Sequence, residues 1–177
     1  FSYDWAKARP SKEAETQKTE EAKRMKVKIL QTLIIPEMRL TIAGYHIGRP
    51  DYGYENKKIF VEGKKKCIQA RYEPEAKYVE RWYKLRAEGI LTDAEIVKEI
   101  NAMGYKSKVV IKWNKEKTKQ IGTIGGLPLT EKHLQDVIKR TTYCGVICEK
   151  WTKNLPIRAK YKGLVSIEEW NKANKGK

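Results

Sequence analysis

The chain has 177 residues, 34% charged and 40% hydrophobic with five Trp and ten Tyr, which suits one ordinary domain with an appendage or two small domains around a modest core. Lys and Arg total 38 against 22 acidic residues, a net charge of +16, and this points to a polyanion partner because neutralising phosphates releases counterions and supplies most non-specific nucleic-acid affinity. No apolar run approaches the roughly 20 residues of a membrane span and no signal peptide is visible, while Cys67, Cys144 and Cys148, with only His46 and His133 to join them, make neither a disulfide framework nor a paired zinc site. These features predict a cytoplasmic protein without metal, cofactor, membrane or small-molecule substrate.

Residues 1–11 read as a leader, and a start at Phe1 suggests a piece of something longer. From Lys12 the composition turns helical, with Glu20 and Arg24 one turn apart, and the apolar residues gather late at Met25, Ile29, Leu30, Leu33 and Ile34 on one face. That face offers a homodimer contact. Pro36 kinks or ends the helix, and a shorter piece runs from Glu37 to Gly44. Residues 44–54, rich in Gly and Tyr, predict an extended, turn-rich arm. Arg49, Tyr52 and Tyr54 can lie along a nucleic-acid backbone or in a minor groove, where arginine reads width and potential; the alternative is a linker whose tyrosines cover the core edge.

Lys58–Val61 and Cys67–Ile68 predict a hairpin with basic flanks. A helix over 74–88 starts on Pro74 and stops at Gly89; Thr92 to Glu95 is a capping box that opens a second helix at Asp93, ending at Gly104. The short link between them sets a sharp angle. Residues 106–119 carry six lysines against Glu116, and 109–111 with 120–122 predict a wing-like hairpin that presents Lys115 and Lys117 to phosphates. Thr130 caps a third helix, 131–140, with Leu134, Val137 and Ile138 inward and Lys132, His133, Gln135, Asp136, Lys139 and Arg140 outward. Gln, Arg and Lys are side chains that reach base edges, so this helix, with Thr141 at its end, is the candidate reader. A strand over 145–148, a loop from Asn154 to Gly163 bearing Arg158 and Lys160, and a last helix opened by the capping box Ser166 to Glu169 complete the chain. The fold class is α+β, mainly helical: a helix-turn-helix-like three-helix core with small β hairpins, preceded by a long linker helix.

The ordered set Gly48-Arg49-Pro50-Asp51-Tyr52-Gly53-Tyr54, Glu73-Pro74-Glu75-Ala76, Ala87-Glu88-Gly89, Glu95 to Asn101, Met103-Gly104, Thr142-Tyr143-Cys144-Gly145 and Lys162 to Trp170 resembles the recombinase domain of large serine recombinases, the integrases and transposases of phages and conjugative elements. The resemblance covers roughly Gly44 to Asn174. It implies a leader and distal connecting helix over 1–43 and a recombinase-type DNA-binding domain over 44–177. It further implies a parent enzyme that cuts and rejoins DNA through a phosphoserine linkage, with this piece positioning it on one attachment half-site of double-stranded DNA. The family's catalytic domain, with its nucleophilic serine and arginine cluster, has no counterpart in the sequence, nor has the zinc domain that commonly follows; the chain is expected to be non-catalytic.

Two other classes compete. A tyrosine recombinase needs His-x-x-Arg, but Asp136 stands three places after His133; for a metal nuclease, Asp93, Glu95 and Glu99 are better explained as a cap and a solvated face. An RNA-binding or ribosome-associated basic protein is favoured by charge alone.

Overall fold

The computed structural model describes residues 11–175. The expected leader lies outside the described residues except for Ser11, as do the last two residues of the polar tail. The chain divides into two compact units, Phe1–Arg39 and Leu40–Lys177.

In the first unit, Ser11 caps α1 (Lys12–Ile29) by accepting from the Ala14 amide, and no residue of α1 is buried. The helix then widens into a π-turn over Leu30–Ile34, where the cap amide of Ile35 reaches back five residues to the Leu30 carbonyl. Pro36 is the physical cause: it has no amide to donate, and its ring crowds the carbonyl four residues back. Helical geometry resumes as α2 (Ile35–Ile42), so the proline bulges the helix and does not end it. Met25, Val27, Ile29, Leu30 and Leu33 remain exposed.

Among its described residues, the second unit has four further helices and three two-stranded antiparallel sheets. β1 (Tyr54–Val61) pairs with β2 (Lys64–Arg71) across the Glu62–Gly63 turn. α3 (Glu73–Glu88) buries Ala76, Val79, Trp82, Tyr83 and Leu85 and stops at Gly89, whose φ of 70° suits a residue without Cβ. The Thr92–Glu95 capping box opens α4 (Asp93–Ala102), which buries Ile96 and Ile100. β3 (Val110–Trp113) pairs with β4 (Gln120–Ile124) in a hairpin exposed along its whole length. Thr130 caps α5 (Glu131–Ile138), which buries Leu134, Val137 and Ile138. β5 (Val146–Ile147) pairs with β6 (Ile157–Arg158), a strand where the sequence suggested only loop, and α6 (Ile167–Ala173) begins on the Ser166–Glu169 box.

α3 is the centre of the packing, lying against α4 on one side and α6 on another, while α5 packs on α4. Its aromatic face meets tyrosines from distant segments: Tyr52 and Tyr105 beside Trp82, and Tyr143 beside both Tyr83 and Tyr54. Each fully buried apolar side chain, Ile96, Ile100 and Leu134 among them, stabilises the unit by roughly 1.5–3 kcal/mol. The mixture of helices and small hairpins matches the expected α+β class.

Candidate nucleic-acid interface

The predicted arm over 44–54 is a clasp. Tyr45, Tyr52 and Tyr54 are buried, the last only 1% exposed. Lys108 explains the segment's course: its Nζ donates to the carbonyls of Asp51 and Tyr54, each at 2.8 Å, and stands 3.3 Å from the Glu75 carboxylate. The same carboxylate accepts from the Gly53 amide at 2.9 Å. Gly53 is required here, since a Cβ would come within 2.9 Å of the Leu164 and Val79 side chains. The Tyr54 hydroxyl donates to the Thr142 carbonyl and accepts from the Leu164 amide. Tyr52 and Tyr54 are therefore core residues, and their expected role at a nucleic-acid surface is corrected; Arg49 alone of the three is exposed.

The expected reader helix is two residues shorter than its sequence pattern. It stops at Ile138, whose carbonyl accepts from the Tyr83 hydroxyl and the Asn174 amide, each at 2.9 Å, and Arg140 is already extended at φ −74°, ψ 116°. The Arg140 guanidinium donates to Asp51 at 2.8 Å, and its carbonyl accepts from the Trp170 indole at 3.1 Å. Gln135 donates to Asp93, which also pairs with Arg86. Arg140 and Gln135, two of the side chains expected to read bases, are exposed and are also hydrogen-bonded within the protein, Arg140 to Asp51 and Gln135 to Asp93. Thr141 is half-buried and its carbonyl accepts from the Cys144 thiol, a group that burial pushes above its ordinary pKa.

Asp51 joins these parts. Besides Arg140 it accepts from Gln69 at 3.3 Å, and Gln69 donates in turn to His46 Nδ1 at 3.1 Å, the His46 Nε2–H pointing to the Arg49 carbonyl at 2.9 Å. Arg140→Ala leaves a carboxylate only 16% exposed without its cation. The expected loss is about 1 kcal/mol, discounted because the arginine itself is half in solvent. Chemical denaturation of Arg140→Ala, Asp51→Asn and the double variant checks it, with non-additive losses expected.

Around these residues lies a distributed set of exposed cations. Lys132 and His133 stand on α5, where burial first, then the Arg140 charge, lowers the His133 pKa against the opposing pull of Asp136. Lys139 borders a cavity of about 490 Å³ with Arg86, Gln135, Trp170 and Lys175. Lys160 and Lys162 border another of about 470 Å³ with Lys57 and Arg71 from the β1–β2 hairpin, and Arg158 and Lys162 line a third. Lys115 and Lys117 occupy the β3–β4 turn, where Lys117 adopts φ 56° and the Asn114 side chain accepts from the Thr118 and Lys119 amides. The structure therefore brings Lys160 beside Lys57 and Arg71, which the sequence-based set lacked. The Lys64-Lys65-Lys66 run was the signal for that hairpin.

The acids weighed for nuclease chemistry have structural partners: Asp93 with Arg86, Glu99 with Arg81 at 2.6 Å, and Glu95 with the Thr92 amide and hydroxyl at 2.8 Å. Among the described residues, no three His, Cys, Asp or Glu side chains converge as a metal site, and no helix is long and apolar enough to cross a membrane.

No family model and no curated protein matches the sequence. Solved structures do match. A chain of the crystal structure of an LSR–DNA complex, LSR denoting large serine recombinase, superposes with a TM-score of 0.53 at 13% identity over 81% of this chain and 37% of that one. A chain from work on the sequence requirements of the Listeria innocua prophage attP site superposes with a TM-score of 0.54, also at 13% identity, over 81% of this chain and 49% of that one. The likeness is one of fold. This chain spans less than half the length of either.

Proposed function

We propose that this chain is the DNA-binding module of a site-specific serine recombinase from a mobile element, a phage integrase or transposon recombinase, and that it binds one half of an attachment site on double-stranded DNA without itself cutting it. The supporting observation is the shared fold, over 81% of the chain, with proteins solved with DNA or in work on a prophage attP site. The net charge of +16 agrees with a polyphosphate partner. In this reading residues 44–177 form the binding domain and 1–43 the distal part of a connecting helix, whose exposed face from Met25 to Leu33 would pair two copies.

Helices α3, α4 and α5 act as a helix-turn-helix-like core. Lys132, His133 and Gln135 on α5, with Lys139 and Arg140 just past its end, approach the bases, and Thr141 stands at the edge of that face. Lys115, Lys117, Arg49, Arg158 and Lys160 contact phosphates, which set position and most of the affinity. Replacing Lys115 and Lys117 by Ala should weaken binding to all duplexes alike and reduce the salt slope by about 1 for each phosphate left unneutralised. Titration of labelled duplex across a range of salt checks this. Structured RNA at matched salt is the comparison: equal affinity for RNA of arbitrary sequence would support a general RNA binder and sink the recombinase reading.

A further inference from the structure

The β1–β2 hairpin combines features that the core does not explain. Its root is anchored: Tyr54 and Gln69 are buried, Ile68 packs on the core cluster, and Asn56 donates to the Gly48 carbonyl at 2.8 Å. Its eight-residue strands run about 26 Å at the usual rise of a β-strand, and Lys58, Phe60, Lys64 and Lys65 of its outer half are exposed while Lys66 reaches back over the Tyr45 ring. The turn is tight. Glu62 and Gly63 take φ values of 53° and 69°, the left-handed pair whose twist matches that of the strands it joins, so the tip is held as a twisted ribbon.

Phe60 lies two residues from that turn and is 75% exposed. Directly across the ladder stands Lys65, with its Nζ 5.9 Å from the ring centroid, and Val61 faces Lys64. Lys57, Lys58, Lys64 and Lys65 are all exposed, and with Lys66 they set five positive charges against Glu62 alone over residues 57–66. An apolar ring held at the end of a ribbon and ringed by lysines is poorly suited to water. It is also poorly suited to reading the major groove, where base edges are distinguished by hydrogen-bond donors and acceptors. It fits the minor groove, where an apolar side chain can enter a base step while flanking cations hold the phosphates.

We propose that the β1–β2 hairpin is a second DNA arm whose Phe60 wedges into a base step from the minor groove and kinks the duplex, with Lys64 and Lys65 gripping the backbone on either side. This rests on the DNA-binding reading above and adds to it a contact of different chemistry, distortion in place of base-edge recognition.

The test uses a duplex with a central TA step, the kind most easily unstacked, carrying a fluorescence donor and acceptor at its ends. Binding and end-to-end transfer are measured for the whole chain, Phe60→Ala, Phe60→Leu, Lys64→Ala/Lys65→Ala and Lys115→Ala/Lys117→Ala across a salt series, with circular dichroism as the folding control. Phe60→Ala should bind about tenfold more weakly, lose most of the bend and keep the salt slope, while Phe60→Leu restores part of the bend. The Lys64/Lys65 variant should lower the slope by about 1.8. A duplex bent equally by the Phe60→Ala variant and the unaltered chain overturns the wedge and leaves the DNA reading standing. A chain that binds without bending the duplex overturns it equally. Failure of the unaltered chain to bind any duplex overturns the DNA reading and the wedge with it.

Discussion

Gly163→Ala is expected to destabilise the second unit by about 3 kcal/mol, a fall in melting temperature of about 10 °C for a chain this long. A Cβ at this position would lie 2.6 Å from the Cys144 carbonyl carbon and 2.7 Å from the Gly145 nitrogen and the Tyr143 oxygen. All three are backbone atoms, so no rotamer change relieves the clash. The turn cannot simply retreat. Val165 donates to the Tyr143 carbonyl at 3.1 Å, Leu164 to the Tyr54 hydroxyl at 3.0 Å, and Gly145 is itself in a left-handed conformation at φ 75°. Moving the segment would break the hydrogen bonds that tie Tyr54 to Leu164 and Val165 to Tyr143. Thermal unfolding followed by circular dichroism measures the effect; an unchanged midpoint would show that segment 163–165 does not pack on the Tyr143–Gly145 turn.

Alkaline unfolding is expected to be abrupt. Burial, the first cause in every case, raises the pKa of Tyr52, Tyr54, Tyr83, Tyr143 and Tyr161 well above their ordinary 10, and that of Tyr105 to about 12. In the unfolded chain these phenols ionise near 10. Because the folded pKa is the higher, the folded state holds more protons above that pH, and its stability is fully present below pH 10 and lost as pH rises beyond it. Each tyrosine kept neutral contributes about 1.4 kcal/mol of loss per pH unit, so the six together approach about 8 kcal/mol per unit. Absorbance at the phenolate band and far-ultraviolet circular dichroism should therefore change together in a narrow step above pH 10. Smooth phenolate formation from pH 10 with the helical signal intact would contradict the aromatic core described here.

The local features of this fold could be read from sequence because they are set by neighbours in the chain. Pro74 and Gly89 bound α3, Thr92 with Glu95 starts α4, and Ser166 with Glu169 starts α6, each through interactions spanning a few residues. Partners that are distant in the chain were not legible. Arg140 reads as a free cation until Asp51, 89 residues away, is placed beside it, and Gln135 reads as free until it meets Asp93. Tyr52 and Tyr54 suit both an exposed arm and a core edge, because tyrosine has an apolar body and a polar tip. Lys108 decided between them, a residue that the sequence pattern counted only among the six lysines of the basic 106–119 segment. Exposed lysines on the two hairpins were legible as charge, but not which of them share a cleft.

Everything proposed for this chain's role depends on its selecting a duplex sequence. Bound molecules should be recovered through successive rounds from a pool of randomised duplexes at physiological salt, with an equally diverse pool of structured RNA as competitor. Enrichment of one DNA motif is expected, bound about a thousandfold or more tighter than the starting pool, with the RNA left behind. A pool that stays random through those rounds, or RNA that competes as well as the selected duplex, would contradict sequence-selective DNA binding.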